Sequence, residues 1–553
     1  MSYDIIVKGG LIVDGTGKKA YRGDVAVSDG RIVAIGEVDG TATRTIDVDG
    51  QVVAPGFLDA HTHYDAQLMW DPAANPATVH GVTTILMGNC GYTLAPVRAE
   101  DQDYLMGLFS AAEEVPKGAL EMFSPLKWET FPEYLDWLRA APLAVNVVAQ
   151  VGHSAVRRFV MGEDAIERVA TEAEIAEMVG LVEEALAAGA SGVSTSQAPH
   201  QRGEHGENIP SYFSTDEELE ALAMAVRRQG KRLLSLNPRG KRTGLNEADQ
   251  DLMKRLAELS GAVVSWNDVG QGTPGGLETI EFMESQIAEG NEILAVARCQ
   301  RAETRFTFKK LSAVFAASED WIEFSRLDED DRIAALADPA WRPRLAAFWD
   351  VAPYLYNVTV EKGVTADTQK LEGRRLTDIA EERGCTAPEV LFDVAIEDRL
   401  ATYFRISGPV NVDESKLERL LKSPATLVGI SDGGAHLQTF AGGDYTSYFL
   451  KHWVKERGSF TLEEGVQALT QRVAQFLGVA DDRGTLEVGK AADIVVFDPD
   501  TVEPDVLQTL DDIPGGGVRM TKGAKSIPYV FVNGVPVIDE GAQTANVPGT
   551  LLG

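Results

Sequence analysis

At four places in this chain a reactive side chain stands directly after a short apolar run. His61-Thr62-His63 follows the run Val52 to Leu58. The i, i+2 spacing sets both imidazoles on one face of extended chain, where together they can grip one metal ion. Cys90, within Gly88-Asn89-Cys90-Gly91, follows Val82 to Met87, and His153 follows Ala144 to Ala149. Asp432, with His436 beyond it, follows Thr426 to Ile430. A histidine after a strand is more often hydrogen-bonded structure than a ligand, and Asp432 in Ser431-Asp432-Gly433-Gly434 could be a turn aspartate. Nitrogen, sulfur and carboxylate donors at successive strand ends nevertheless make a set suited to a divalent metal.

What must position them is a repeating layout. Short apolar runs alternate with amphipathic helical segments, the pattern of βα units and a parallel sheet. The eight expected strands are Val52 to Leu58, Val82 to Met87, Ala144 to Ala149, Gly192 to Ser194, Arg232 to Leu236, Ala262 to Ser265, Ile293 to Ala297 and Thr426 to Ile430. They predict an α/β fold, a (β/α)8 TIM barrel whose reactive groups lie at the C-terminal strand ends. One helix is signed by Thr171 and Glu174 as a capping box and stopped by Gly189; another starts near Ser214 or Thr215 and ends at Gly230. Residues 1–52 and 480–553 alternate apolar and polar positions between Asp-Gly turns, which predicts a β-sandwich built from both chain ends beside a barrel over 53–479. The stretch of about 300–424 is too long for one crossover and reads as a helical insertion between strands seven and eight, able to act as a lid.

With 44% hydrophobic and 24% charged residues the composition is that of an ordinary globular protein, and no apolar run nears the roughly 18 residues that span a bilayer. Met1-Ser2-Tyr3-Asp4 leads straight into a strand-like run without an export signal, so the cytoplasm is the expected location and no membrane partner is expected. Cys90, Cys299 and Cys385 are too few and too scattered for a disulfide framework. A net charge of −33 with no basic stripe argues against nucleic acid and is read first as a solubilising surface. That leaves a small-molecule substrate, and the surface of the inserted helices makes a homo-oligomer reasonable.

Ala54-Pro55-Gly56-Phe57-Leu58-Asp59-Ala60-His61-Thr62-His63 resembles the opening signature of the amidohydrolase superfamily, and Gly484 to Asp493 resembles its C-terminal sandwich motif. Gly88-Asn89-Cys90-Gly91 and Gly152-His153 resemble the D-aminoacylase (N-acyl-D-amino-acid deacylase) branch, so the likeness spans nearly the whole chain. It implies a barrel beside a sandwich, a divalent metal, and water attack on a scissile carbonyl. The sequence also departs from that pattern. Where the branch has histidines after strands five and six, this chain has Leu236-Asn237-Pro238 and Ser265-Trp266-Asn267, and Ser194-Thr195-Ser196 offers no lysine after strand four.

The resemblance then implies one metal site with His61, His63, Asp432 and Cys90 as ligands. Zinc fits best, with iron and manganese as alternatives. Asp432 would move the proton from water to the leaving nitrogen, and His153 would hydrogen-bond the oxyanion. Asn237 or Asn267 would share that task or orient substrate. For an N-acyl amino acid, Arg239, Arg298 or Arg301 would meet the carboxylate, with Arg301 preferred. His200 and His205 lie in a Gly-rich loop near the expected mouth, where a solvated role is the simpler one. The reading is therefore a metal-dependent hydrolase of a non-peptide linear amide. A cyclic amide, imide, lactone or C–C bond beside a carbonyl, and a non-catalytic binding scaffold, stand as alternatives. A serine hydrolase fails, because Gly152-His153-Ser154 is followed by Val156 where a nucleophile elbow needs glycine.

Overall fold

A computed structural model describes residues 2–240, 244–270, 276–301, 303–408 and 410–553. Its centre is a curled parallel sheet of eight strands: β1 (Phe57–Asp59), β2 (Val82–Met87), β3 (Asn146–Gly152), β4 (Gly192–Ser196), β5 (Leu233–Asn237), β6 (Val263–Val269), β7 (Ile293–Ala297) and β8 (Thr426–Val428). Each pairs in parallel with the next in chain order. The runs are apolar and almost wholly buried because helices cover the outer face. The loops after β8 and β1 also meet, since the His63 amide donates to the Gly433 carbonyl at 2.7 Å. Every one of the eight expected strands is present.

The first expected strand is in fact two. Val52–Pro55 joins a different sheet, pairing with Leu11 and Ile12 on one side and Ile494–Phe497 on the other, and only Phe57–Asp59 enters the parallel sheet. The break falls at Gly56. A Cβ there would lie 2.3 Å from the Thr83 side chain, so only glycine lets the chain cross so close to β2. The sheet that Val52–Pro55 joins has nine strands, drawn from residues before Pro55 and after Ile494, and thus ties the two chain ends together. Buried Asp493 ties it to the parallel sheet, bonded to Arg483, to Asn146 Nδ2 (3.0 Å) and to the Asn533 amide (2.7 Å).

The helices follow their signals. Glu172–Ala188 is capped by Thr171 in a capping box with Glu174, and Asp216–Arg228 is capped by Thr215. The stretch between β7 and β8 is not purely helical. Besides helices it holds a three-stranded antiparallel sheet of Glu303–Phe306, Tyr403–Ser407 and Val358–Lys362 around its own aromatic-rich core. These strands carry Glu303 and Arg405 on a partly exposed face, which hid them from an apolar pattern. Among the described residues no helix is long and apolar enough to cross a membrane.

Candidate active site

His61 and His63 leave β1 side by side, their rings 5.1 Å apart and nearly perpendicular. Cys90 enters from the loop after β2, its Sγ 3.7 Å from His61 Nε2. The ligand atoms of these three buried residues all lie within 4.8 Å of one another, the one such group among the described residues. Asp432, after β8, places Oδ1 3.4 Å from His61 Nε2.

The backbone is strained to achieve this. Cys90 (φ 56°), Ile430 (φ 70°), Asp432 (φ 50°) and His436 (φ 51°) all occupy the left-handed region that side chains disfavour. Such strain, about 1–3 kcal/mol for each residue, persists where surrounding contacts over-determine it, and it concentrates at working sites. Gly433 and Gly434 give the room: a Cβ on Gly433 would lie 2.5 Å from the Tyr64 hydroxyl, and one on Gly434 2.5 Å from the His63 carbonyl.

Cations and anions alternate around the donors. Arg298, after β7, donates to Asp432 Oδ2 at 2.8 Å and stacks on Phe440 at 4.5 Å. Burial alone would raise the Asp432 pKa, but the positive charge of Arg298 prevails and holds this carboxyl well below the usual range. Two buried acids that sequence reasoning missed complete the ring. Glu113 Oε2 lies 3.5 Å from His63 Nε2, and Glu114 Oε2 lies 2.9 Å from His436 Nδ1. Burial would lower the His436 pKa, yet the bond to Glu114 pushes it up to about 9. Both acids end the helix Gln102–Glu113, where the macrodipole disfavours anions. Acids at that end of a helix, just before Val115-Pro116, were the available signal.

These residues floor a cavity of about 890 Å³. The loop after β4 lines it with His200, Arg202 and Glu204, and the stretch between β7 and β8 roofs it with Lys310, Val314, Ile322, Arg326, Tyr354 and Ile406.

Not every expected site residue is brought here. Asn237 is, donating Nδ2 to Cys90 Sγ at 3.2 Å, whereas Asn267 is buried in β6 away from the cavity wall. His153 is fully buried outside the wall, with Nδ1 2.8 Å from Thr195 Oγ1 and Nε2 2.7 Å from Glu218 Oε1. Arg157 shares that carboxylate, and both ring nitrogens of His153 are thus engaged away from the donors. Arg301 is exposed, its Nε directed at the Gly408 carbonyl at 3.4 Å, and Arg239 turns to the Ser214 carbonyl at 3.0 Å. His205 is also outside the wall.

Residues 44–538 match the model of the family described as "Amidohydrolase family". The chain belongs to this family. It is 30% identical to the D-aminoacylase of Alcaligenes xylosoxydans xylosoxydans over 100% of its own length and 97% of that protein. A solved D-aminoacylase, described by its binuclear metal centre with one-metal activation and second-metal attenuation, superposes with a TM-score of 0.67 at 27% identity, covering 100% of this chain and 99% of the other. The N-acyl-D-glutamate deacylase from Bordetella bronchiseptica, solved with zinc and a phosphonate mimic of the tetrahedral intermediate, gives 0.69 at 25% identity with all of both chains covered. The expected membership of a D-aminoacylase-like branch of metal-dependent amidohydrolases is borne out.

Proposed function

We propose that this chain hydrolyses the linear amide of an N-acyl amino acid with the help of a single divalent metal. The observation that carries the reading is the buried triad of His61, His63 and Cys90, beside Asp432, at the floor of a large cavity. The donors fit a zinc-class ion in kind and in spacing: two ligands at about 2.0–2.3 Å from one tetrahedral ion stand roughly 3.3–3.8 Å apart. The Cys90–His61 and His61–Asp432 separations of 3.7 and 3.4 Å match. When bound, such an ion supplies activated water and polarises the scissile carbonyl. A single ion agrees with Asn237 and Asn267 standing where the resemblance leads one to expect histidines.

The chain's own groups do the rest. Asp432, held ionised by Arg298, is the proton acceptor and hands the proton to the leaving nitrogen. Lys310 and Arg202 in the roof and wall meet the substrate carboxylate, while Val314, Ile322 and Ile406 receive its apolar part. Asn237 orients the Cys90 sulfur. His153 is a positioning residue that ties the end of β3 to the first turn of helix Asp216–Arg228. We further take residues 1–52 and 480–553 as a terminal β-sandwich domain, 53–479 as the barrel and 300–424 as its lid. The working form is placed in the cytoplasm, with homo-oligomers reasonable. The test is to strip the protein with chelator, add back zinc, and assay N-acetyl-D- and N-acetyl-L-amino acids by release of acetate. Activity lost on stripping, restored by zinc and absent in His61→Ala is expected. Turnover of no N-acyl amino acid by the zinc-loaded enzyme refutes the substrate reading.

A further inference from the structure

Inside the curled sheet, the packing changes character beneath the donors. Val148, Leu233 and Val263 form one buried apolar cluster with residues of four other parallel strands, which only the inner face of the sheet brings together. Residues two further along a strand share its face. At those positions the chain has Gln150, Ser235 and Ser265, each at most 1% exposed. Buried polar groups cost free energy unless they are hydrogen-bonded. These are bonded in a line. Ser265 Oγ donates to Ser235 Oγ at 2.9 Å, Ser235 Oγ to Gln150 Oε1 at 3.0 Å, and Gln150 Nε2 to Asn89 Oδ1 at 3.3 Å. Asn89 Nδ2 then donates to the Thr62 carbonyl at 3.0 Å and to the Leu86 carbonyl at 3.1 Å. The line thus ends on the two segments that carry the donors, since Asn89 precedes Cys90 and Thr62 stands between His61 and His63. The loop of Cys90 is held from a second side by Ser194, whose Oγ donates to the Gly88 carbonyl and accepts the Gly91 amide at 3.0 Å.

The geometry points to Gln150 as a positioning residue for the metal cradle, holding the Asn89 side chain as a staple between the loop of Cys90 and the segment of His61 and His63. The inference rests on the metal-dependent reading above. The direction of each bond supports it. Turning the Asn89 amide over would set Oδ1 against two carbonyl oxygens and Nδ2 against the Gln150 donor, so Gln150 Nε2 fixes how Asn89 faces. Ser235 receives the Ser265 proton and gives its own to Gln150 Oε1, which fixes how Gln150 faces in turn. The backbone agrees: a Cβ on Gly88 would lie 2.2 Å from the Gln150 carbonyl oxygen, so the loop of Cys90 rests directly on this part of β3. Cys90 itself is held at φ 56°, a conformation that persists only where neighbouring contacts enforce it. Asn89 and Ser194 supply such contacts on either side.

The test measures metal binding rather than turnover. Metal-free protein is titrated with cobalt(II), with affinity read by chelator competition. Gln150→Met keeps the bulk without the amide, and the affinity falls about 10- to 100-fold, the usual effect of a group that orients metal ligands. Ser235→Ala removes the donor to Gln150 and lowers affinity roughly 2- to 12-fold in the parent. In the Gln150→Met background it lowers it no further, because the two residues act in one line. Val148→Ala, one step deeper on the same strand, lowers the melting temperature of the metal-free protein but leaves cobalt affinity unchanged. Parent-like affinity in Gln150→Met overturns the assignment. So does an equal loss from Ser235→Ala in both backgrounds, or a loss in Val148→Ala as large as in Gln150→Met, which would mark a general loosening of the interior. If Gln150→Met does not fold, Ser235→Ala against Val148→Ala decides: loss in the first alone supports the assignment, and parity or the reverse overturns it. If His61→Ala binds cobalt as the parent does, the metal reading itself fails and takes this one with it; parent-like Gln150→Met beside a His61→Ala that has lost cobalt defeats this assignment alone.

Discussion

Replacing Glu218 by glutamine separates a structural role for His153 from a chemical one. Glu218, His153 and Arg157 are all fully buried, and the Glu218 carboxylate serves both partners. In Glu218→Gln the Arg157 charge loses its counter-ion where water cannot replace it. Breaking a buried pair in this way costs about 3–5 kcal/mol. The double variant Arg157→Met/Glu218→Leu removes both charges and recovers most of that loss. The dependence on pH has a definite sign. Burial pushes the His153 pKa below its ordinary 6.5. Burial would raise that of Glu218, but the His153 hydrogen bond and Arg157 hold it below 4.5. Both groups have folded values below their unfolded ones, so their contribution is complete above about pH 6.5 and is lost as pH falls through the folded values. Urea unfolding of zinc-loaded parent and variants at pH 7 and 5.5, with activity measured on the same samples, is the assay. The penalty should be full at pH 7 and no smaller at 5.5, because Glu218 is still ionised there and the buried His153 is harder to protonate once the Glu218 carboxylate is gone. The reasoning is refuted if Glu218→Gln unfolds within about 1 kcal/mol of the parent, or if His153→Gln abolishes turnover without moving the urea midpoint.

Three further outcomes are expected. Gly56→Ala forces a methyl against Thr83, with overpacking of about 1–3 kcal/mol, and should lower the melting temperature and soluble yield. Lys310→Ala removes a charge-assisted contact worth about 1.5–3 kcal/mol, so KM for N-acyl amino acids should rise about 10- to 150-fold while kcat changes little; unchanged KM removes Lys310 from the carboxylate site. Arg483→Met strands the buried Asp493 carboxyl, whose pKa burial already raises, and should expose the strands after Ile494 to limited proteolysis; a parent-like digest would count against Asp493 as the tie.

The parallel strands were legible because buried runs of Val, Ile, Leu and Ala end at glycines or polar rims, and strand ends fix where reactive groups stand. Side-chain direction was less legible. His153 lies immediately after β3, as read, but it is the first residue of a helix, and its ring turns toward Glu218 instead of the barrel mouth. Asn267 was placed beyond a strand end, yet β6 continues to Val269 and keeps it inside. Glu113 and Glu114 escaped because a helix in a long connection carries no strand-end signal. Val52 to Leu58 read as one strand because apolar periodicity does not register that neighbouring residues serve two sheets.

The division of that strand at Gly56 bears on how the protein is made. Val52–Pro55 completes its pairing only with Ile494–Phe497, more than 400 residues later in the chain. At 5–20 residues per second, a ribosome needs roughly 20 to 90 seconds to deliver that partner. For that interval the nascent chain carries its two histidines on a segment anchored from one side, with an open strand edge beside them. Such an edge is where chaperones bind or aggregation begins. His61 and His63, the proposed metal ligands, are thus translated more than 400 residues ahead of the strand that closes the sheet beside them.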